Sequence, residues 1–192
     1  MRETDPAPRA ARDHGMLILL ATVFLNTMGM TIIGPVVPFL AQRYVADPQQ
    51  LAGVVGWLSS AYAICQFLAA PGLGALSDRF GRRPILLCCL LGSAIGYLLF
   101  GLGGTLWVLF LGRIVDGVTG GNFSILYAYI ADRVPAEQRG VFFGRAGAFA
   151  GAGFLLGPAI GGLAARWSVA APAYLAAAIT LLTLLWALAL LP

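Results

Sequence analysis

An all-α polytopic membrane protein with six transmembrane helices is the fold this sequence predicts, and three observations predict it. The 192 residues are 59% hydrophobic with a mean hydropathy of +0.85, beyond the apolar content of an ordinary soluble domain. The chain contains 25 glycines, a residue more frequent in membrane helices than in soluble ones. Charged residues make up only 10% and fall in clusters. Between the clusters lie long windows with no Asp, Glu, Lys or Arg.

These windows are residues 15–42, 48–77, 84–112, 146–165 and 167–192. Each has room for the roughly 20 apolar residues of a spanning helix. A sixth runs over about residues 105–131 and is interrupted only by Arg113 and Asp116. Hydrocarbon offers no partner for a backbone N–H or C=O, so each span must pair its polar groups within itself, as a helix. The opening stretch MRETDPAPRAARDHG, residues 1–15, is polar and proline-containing and is expected to form a disordered cytoplasmic tail. Residues 16–192 form the N-terminal six-helix transmembrane bundle. The first helix is too long, and lacks the small-residue site, for a cleavable signal.

All twelve basic residues are arginines, and their placement orients the bundle. Arg2, Arg9 and Arg12 precede helix 1; Arg79, Arg82 and Arg83 follow helix 2; Arg133, Arg139 and Arg145 surround the turn between helices 4 and 5. The opposite side holds only Arg43 and Arg166. The positive-inside rule then puts both termini in the cytoplasm of a multi-pass cell-membrane protein. Trp57, Trp107 and Trp167 fall near the outer ends of their helices, as an interfacial aromatic belt requires. The net charge of +4 is accounted for by this topology, so no nucleic-acid partner is implied. Cys65, Cys88 and Cys89 lie within apolar helices and His14 is the sole histidine. There is no metal spacing, no disulfide framework, no nucleophile–base pair and no phosphate loop, so the chain does not read as an enzyme.

The segment PGLGAL at residues 71–76 is echoed by PAIGGL at residues 158–163, an offset of 87. Helices 1 and 4, beginning near Met16 and Thr105, are separated by a similar interval. A repeat of three helices inverts its second copy in the membrane, giving the 3+3 inverted repeat of many secondary transporters.

Three segments concentrate the remaining signal. In GALSDRFGRR, residues 74–83, glycines permit a tight turn, Asp78 is spaced to pair with Arg82, and the other arginines suit anionic headgroups. In LGRIVDGVTGG, Arg113 sits inside a span, where a guanidinium costs about 2.5 to 3.5 kcal/mol on insertion scales. It needs a cavity and a partner, and Asp116, three residues on, shares its face. In helix 5, Gly153, Gly157 and Gly161 recur every fourth residue as a smooth ridge on which another helix can pack closely.

Together these segments resemble the major facilitator superfamily, specifically its drug/proton antiporter branch with the tetracycline efflux proteins. The resemblance covers nearly the whole chain from Met16 and corresponds to the N-terminal six-helix half of a twelve-helix fold. It implies that Gly74, Asp78, Arg79, Gly81, Arg82 and Arg83 form a gating loop on the cytoplasmic side, with Asp132 in the same charge network. It implies a proton-coupling role for Arg113, which the acid at Asp116 joins as a departure from the family pattern. Asp116 is either a titrating group or a structural ion-pair partner. The helix 5 glycines and proline, Gly144, Gly153, Gly157, Pro158, Gly161 and Gly162, resemble the antiporter motif, which in the family lies along the interface between the two halves. In helix 1 the tetracycline efflux proteins carry an acid where this chain has Asn26. Asn26, with Thr27, Gln66 and Asn122, is a mid-helix polar residue suited either to lining a substrate cavity or to bonding another helix.

The function implied is proton-coupled efflux of small amphipathic drugs, such as tetracycline-like compounds, by alternating access. The proton gradient is the energy source and no cofactor is needed. The alternatives are a sugar or metabolite carrier of the same superfamily, and a six-helix assembly protein that does not transport. The expected partners are membrane lipid, a small-molecule substrate, and a second six-helix half supplied by a continuation of the chain or by another chain.

Overall fold

The structure, a computed structural model, describes residues 7–191. Its helices are α1 (Ala7–Ile33), α2 (Val37–Ala41), α3 (Pro48–Phe80), α4 (Arg82–Leu102), α5 (Leu106–Val118), α6 (Asn122–Arg133), α7 (Arg139–Ala164) and α8 (Ala171–Leu190). Short 3-10 turns at Gly34–Val36 and Ala136–Gln138 lead into α2 and α7. Among the described residues there is no strand. Five stretches are long and apolar enough to cross a membrane: 15–41, 48–80, 82–102, 136–164 and 171–190. The sixth expected crossing is divided into α5 and α6 by Thr119, Gly120 and Gly121.

The local chemistry sets the boundaries. α1 is already helical from Ala7, so part of the segment expected to be a disordered tail is ordered. Pro8 is tolerated in a first turn and Ala and Arg propagate helix well; Met1–Pro6 lie outside the described residues. The Asp47 carboxylate caps α3 by accepting the Gln49 N–H at 3.0 Å, with Pro48 in the first turn. At 33 residues, α3 is about 50 Å long and projects beyond the hydrocarbon, which accounts for Trp57 lying nearly three turns inside it. Only Gly81 separates α3 from α4, and its φ of 97° is one that residues with a Cβ adopt only under strain. Gly74, counted with the turn in the sequence, lies inside α3 with open space around it, so it makes no turn. At the other end of the bundle the Tyr44 hydroxyl accepts the Gly104 N–H at 2.8 Å and ties two loops together.

The most extensive pairings are α1 with α7, α4 with α8, α4 with α5, α1 with α8, and α3 with α5. Exchanging the first three crossings for the last three carries α1–α7 onto α5–α3 and α1–α8 onto α5–α4, and leaves α4–α8 in place. The 3+3 inverted repeat is thus present in the packing, and Pro71 of α3 and Pro158 of α7 are its matching interior prolines. Two apolar clusters stack along the bundle. One contains Leu19, Val23, Leu86, Leu90, Leu126 and Ile130; the other contains Ile32, Leu58, Phe100, Leu109, Ala173 and Ala177. Between them lies a layer of buried polar residues: Asn26, Ser93, Asp116 and Asn122. Of α3, only Leu58 and Ser77 are fully buried; one face packs on α5 and the opposite face is exposed.

Candidate functional site

The polar layer is assembled by close helix crossings. A Cβ at Gly96 would fall 2.8 Å from the Gly112 carbonyl oxygen, and one at Gly112 would fall 2.7 Å from the Gly96 carbonyl oxygen. This mutual contact draws α4 onto α5 and sets Ser93 and Tyr97 against Asp116. On the other side, Gly117 meets α3 so tightly that a Cβ would lie 2.6 Å from the Tyr62 carbonyl oxygen. Asp116 is 3% exposed. Its carboxylate is 3.9 Å from the Arg113 guanidinium, and the hydroxyls of Ser93 and Tyr97 are placed to bond it. Arg113 lies over the rings of Phe100, at 4.9 Å, and Tyr62, at 5.6 Å, so its cation is held partly by aromatic faces. The Arg113 Nε is buried without a hydrogen-bond partner.

One turn after Asp116 the helical ladder breaks. The Thr119 N–H still reaches the Val115 oxygen, the Gly120 N–H turns back to Gly117, and the ladder resumes with the Ile125 N–H on the Gly121 oxygen. Irregular backbone at membrane depth survives only where protein or a cavity satisfies it. Here Gln66 of α3 does so: its Nε2 donates to the Gly120 carbonyl at 2.9 Å and to the Tyr62 hydroxyl at 3.1 Å. Across the break, the Asn122 amide donates to Asn26 Oδ1 at 3.1 Å and to Ser93 Oγ at 3.3 Å. Asn26 and Asn122, expected as either cavity residues or interhelical links, are therefore joined to each other.

A groove opens beside this layer. Its larger part, about 460 Å³, runs between α1, α3, α6 and α7 past Thr27, Met30, Tyr62, Gln66, Phe123 and Phe154. A second part of about 350 Å³ passes Ala70, Ser124 and Tyr127. A narrow chamber of about 20 Å³ leads inward to Asn26, Ser93, Tyr97, Asp116 and Asn122. Gln66 and Phe123 border all three spaces. Thr27 lines the groove, although its hydroxyl bonds back to the Val23 carbonyl at 2.8 Å. The residues missed in the sequence are Tyr62, Ser93 and Tyr97. Their signal was the spacing of Tyr62 from Gln66 and of Ser93 from Tyr97, four residues apart on one helix face in each case.

The helix 5 ridge has a different partner from the one the resemblance implied. Gly153, Gly157 and Gly161 are buried against α1, where Cβ atoms would meet the carbonyl oxygens of Phe24 at 2.7 Å, Met28 at 2.9 Å and Ile32 at 2.6 Å. They seal a contact within this six-helix bundle, and their faces are not free for another half. Gly144 and Gly162 have open space around them, and Pro158 lies inside α7.

At the arginine-rich end, Arg82 bridges two carboxylates, Asp78 at 2.6 Å and Asp132 at 2.8 Å, and donates to Ser77 Oγ at 2.6 Å. Arg83 donates to the Leu188 carbonyl at 2.6 Å, in the last turn of α8, and Arg79 lies 5.3 Å over the Phe80 ring. The loop therefore ties the ends of α3, α4, α6 and α8 together.

Comparison with known proteins gives a consistent result. The profile of the Major Facilitator Superfamily matches residues 19–192. The tetracycline resistance protein, class C, of Escherichia coli is 44% identical over 167 residues, 87% of this chain and 42% of that protein. The class B protein of the same organism is 41% identical over 168 residues, 88% of this chain and 42% of that protein. The crystal structure of the human organic anion transporter MFSD10 (TETRAN) superposes with a TM-score of 0.82 at 25% identity, over 94% of this chain and 48% of that one. The chain thus spans about two-fifths of the length of these curated relatives.

Proposed function

The chain belongs to the Major Facilitator Superfamily, and on that premise we propose that it carries the substrate groove and proton site of a proton-coupled efflux transporter for small amphipathic, tetracycline-like compounds. The observation that carries this reading is the pair Arg113 and Asp116, buried 3.9 Å apart beside a broken membrane helix that borders an apolar groove. Discontinuous helices mark substrate and ion sites in secondary transporters. An ionisable pair inside a membrane is costly to keep, and its place beside the groove gives it work to do.

The cycle follows from the electrostatics of the pair. With Asp116 ionised, Arg113 is neutralised across 3.9 Å. When Asp116 takes a proton, Arg113 keeps only its aromatic contacts and its unpartnered Nε. Substrate in the groove next to Tyr62 and Gln66 then competes with the proton for the favourable state of the pair, and differential affinity for the two states converts a proton gradient into export. Flat amphipathic molecules suit a wall of Phe123, Phe154 and Tyr62 with one polar handle at Gln66. The proton gradient supplies the energy, no cofactor takes part, and both termini face the cytoplasm. The Asp78–Arg82–Asp132 bridge acts as the cytoplasmic gate. A second six-helix half closes the groove along the exposed face of α3.

The test is tetracycline-triggered proton release from the intact protein in vesicles. Asp116→Asn keeps the shape and removes the titrating group, so release should fall to background while the variant remains folded. Release unchanged from wild type would leave the pair a purely structural one and remove the coupling role.

A further inference from the structure

The 20 Å³ chamber holds an unsatisfied group. Asn122 is 6% exposed and spends its Nδ2 on Asn26 and Ser93, while its Oδ1 is fully buried and accepts no hydrogen bond. A buried amide oxygen left alone costs the desolvation of that group. The chamber walls are mostly polar, and Ser93, Tyr97 and Asp116 line them with Asn122. A volume of about 10–15 Å³ with two to four polar partners is what a single buried water requires.

We propose that the chamber is a water site, in which one molecule donates to Asn122 Oδ1 and to the Asp116 carboxylate and links Asp116 to the groove. The inference rests on the coupling role given to Asp116 above. Loading moves one proton: an O–H bond of the bound water breaks as the carboxyl O–H forms, and the water regains a proton from solvent in the groove past Gln66 and Phe123. The water is unchanged at the end. A neutral donor fits better than a metal cation, because Arg113 already supplies a positive charge 3.9 Å from the carboxylate. The other ionisable groups facing Asp116 are Tyr62 from α3 and Tyr97 from α4; the residues that α1 and α6 bring to the chamber, Asn26, Met30, Asn122 and Phe123, have no ionisable side chain.

Two measurements on the intact protein in lipid nanodiscs or vesicles test this. In X-ray hydroxyl-radical footprinting, radiolysis of a trapped water yields a hydroxyl radical that oxidises the side chains around it even where bulk solvent does not reach. Tyr97, 4% exposed, should be labelled several-fold faster than Phe100, 1% exposed, after correction for intrinsic reactivity. Equal protection of the two would overturn the water site without any variant being made. In stopped flow at saturating tetracycline, Asn122→Leu should slow proton release by roughly tenfold, equivalent to about 1.4 kcal/mol on the barrier. Asn122→Ser, which restores a polar oxygen and leaves room for water, should recover most of the rate. An unchanged rate in Asn122→Leu would overturn the relay, as would release that requires sodium, since the chamber would then hold a cation. Persistence of release in Asp116→Asn, with Tyr97 still labelled, would instead sink the coupling role and leave the water site standing.

Discussion

Replacing Gly157 with alanine should separate α1 from α7, and the size of the effect can be worked from the contact. The added Cβ would run into the Thr31 hydroxyl and come within 2.9 Å of the Met28 carbonyl oxygen. The carbonyl belongs to helix backbone and cannot swing aside. The hydroxyl can rotate, but only by giving up bonds to the Thr27 oxygen at 2.9 Å and to the Gly153 oxygen of α7 at 3.3 Å. Overpacking of a tight contact costs about 1–3 kcal/mol, and loss of one interhelical hydrogen bond in a membrane about 0.6 kcal/mol more. The control is Gly162→Ala on the same helix, where a Cβ meets nothing and the better helix propensity of alanine is worth up to about 1 kcal/mol. The two variants should therefore differ by roughly 2–4 kcal/mol in reversible unfolding of the intact protein by SDS in mixed micelles. If they unfold within about 0.5 kcal/mol of each other, the scatter of ordinary surface substitutions, the ridge does not seal α1 to α7 and the packing described here is wrong.

The other expectations use the same assay. Arg82→Lys replaces a fork that reaches Asp78, Asp132 and Ser77 with a single ammonium. Because the two carboxylates are 64% and 55% exposed, the loss should stay below about 1 kcal/mol and fade in high salt; a larger, salt-insensitive loss would show that the bridge is shielded from solvent. Gly81→Ala puts a Cβ on a residue with φ of 97°, where it would meet only the Pro84 ring at an ordinary contact distance of 3.7 Å. It should destabilise by about 1–3 kcal/mol through backbone strain alone, and a neutral result would mean the turn relaxes. For the buried pair, Arg113→Gln should cost about 3–5 kcal/mol by stranding Asp116, whereas Arg113→Gln combined with Asp116→Asn should recover much of that. Additive losses in that cycle would mean that the two charges, 3.9 Å apart, do not sense each other.

The features legible in the sequence were those written as periodic or local patterns. Five spans follow from where charge is absent and the sixth from an apolar window interrupted only by Arg113 and Asp116, and the Asp78–Arg82 pairing follows from a short spacing that the Gly81 turn between α3 and α4 closes. Arg113 and Asp116 were legible from their spacing on one helix face, with the added signal that an intramembrane guanidinium demands company. The break at Thr119–Gly121 was not: Gly120 and Gly121 are unremarkable among 25 glycines. What ends the helix there is an amide from α3, Gln66, which takes over a carbonyl that the ladder releases. The partner of the Gly153–Gly161 ridge was equally hidden. A small-residue stripe announces close packing but not with which helix; that is decided by α1, whose Phe24, Met28 and Ile32 present carbonyls, and Thr31 a short hydroxyl, at the matching rise.

The inverted repeat accounts for where the polar layer sits. The offsets of 87 residues between the proline motifs and 89 between the helix starts carry Asn26 of the first crossing onto residues 113–115 of the fourth, the turn that begins at Arg113 and ends beside Asp116. Each copy of the repeat therefore places a polar group at the same depth, but the two are not equal. The first copy contributes an amide on a continuous helix; the second contributes a charged pair followed by a break. An amide can hold a hydrogen bond in one state only, whereas a carboxylate beside a guanidinium has two states that differ by a proton. On the coupling role proposed for Asp116, placing the ionisable pair on the crossing that is interrupted, with Gln66 satisfying the interruption from α3, puts the titrating group next to the irregular backbone. A repeat with identical copies would have put either two amides at this depth, which bind no proton, or two charged pairs. The difference between the copies is what brings a buried ion pair and a helix break together at this depth.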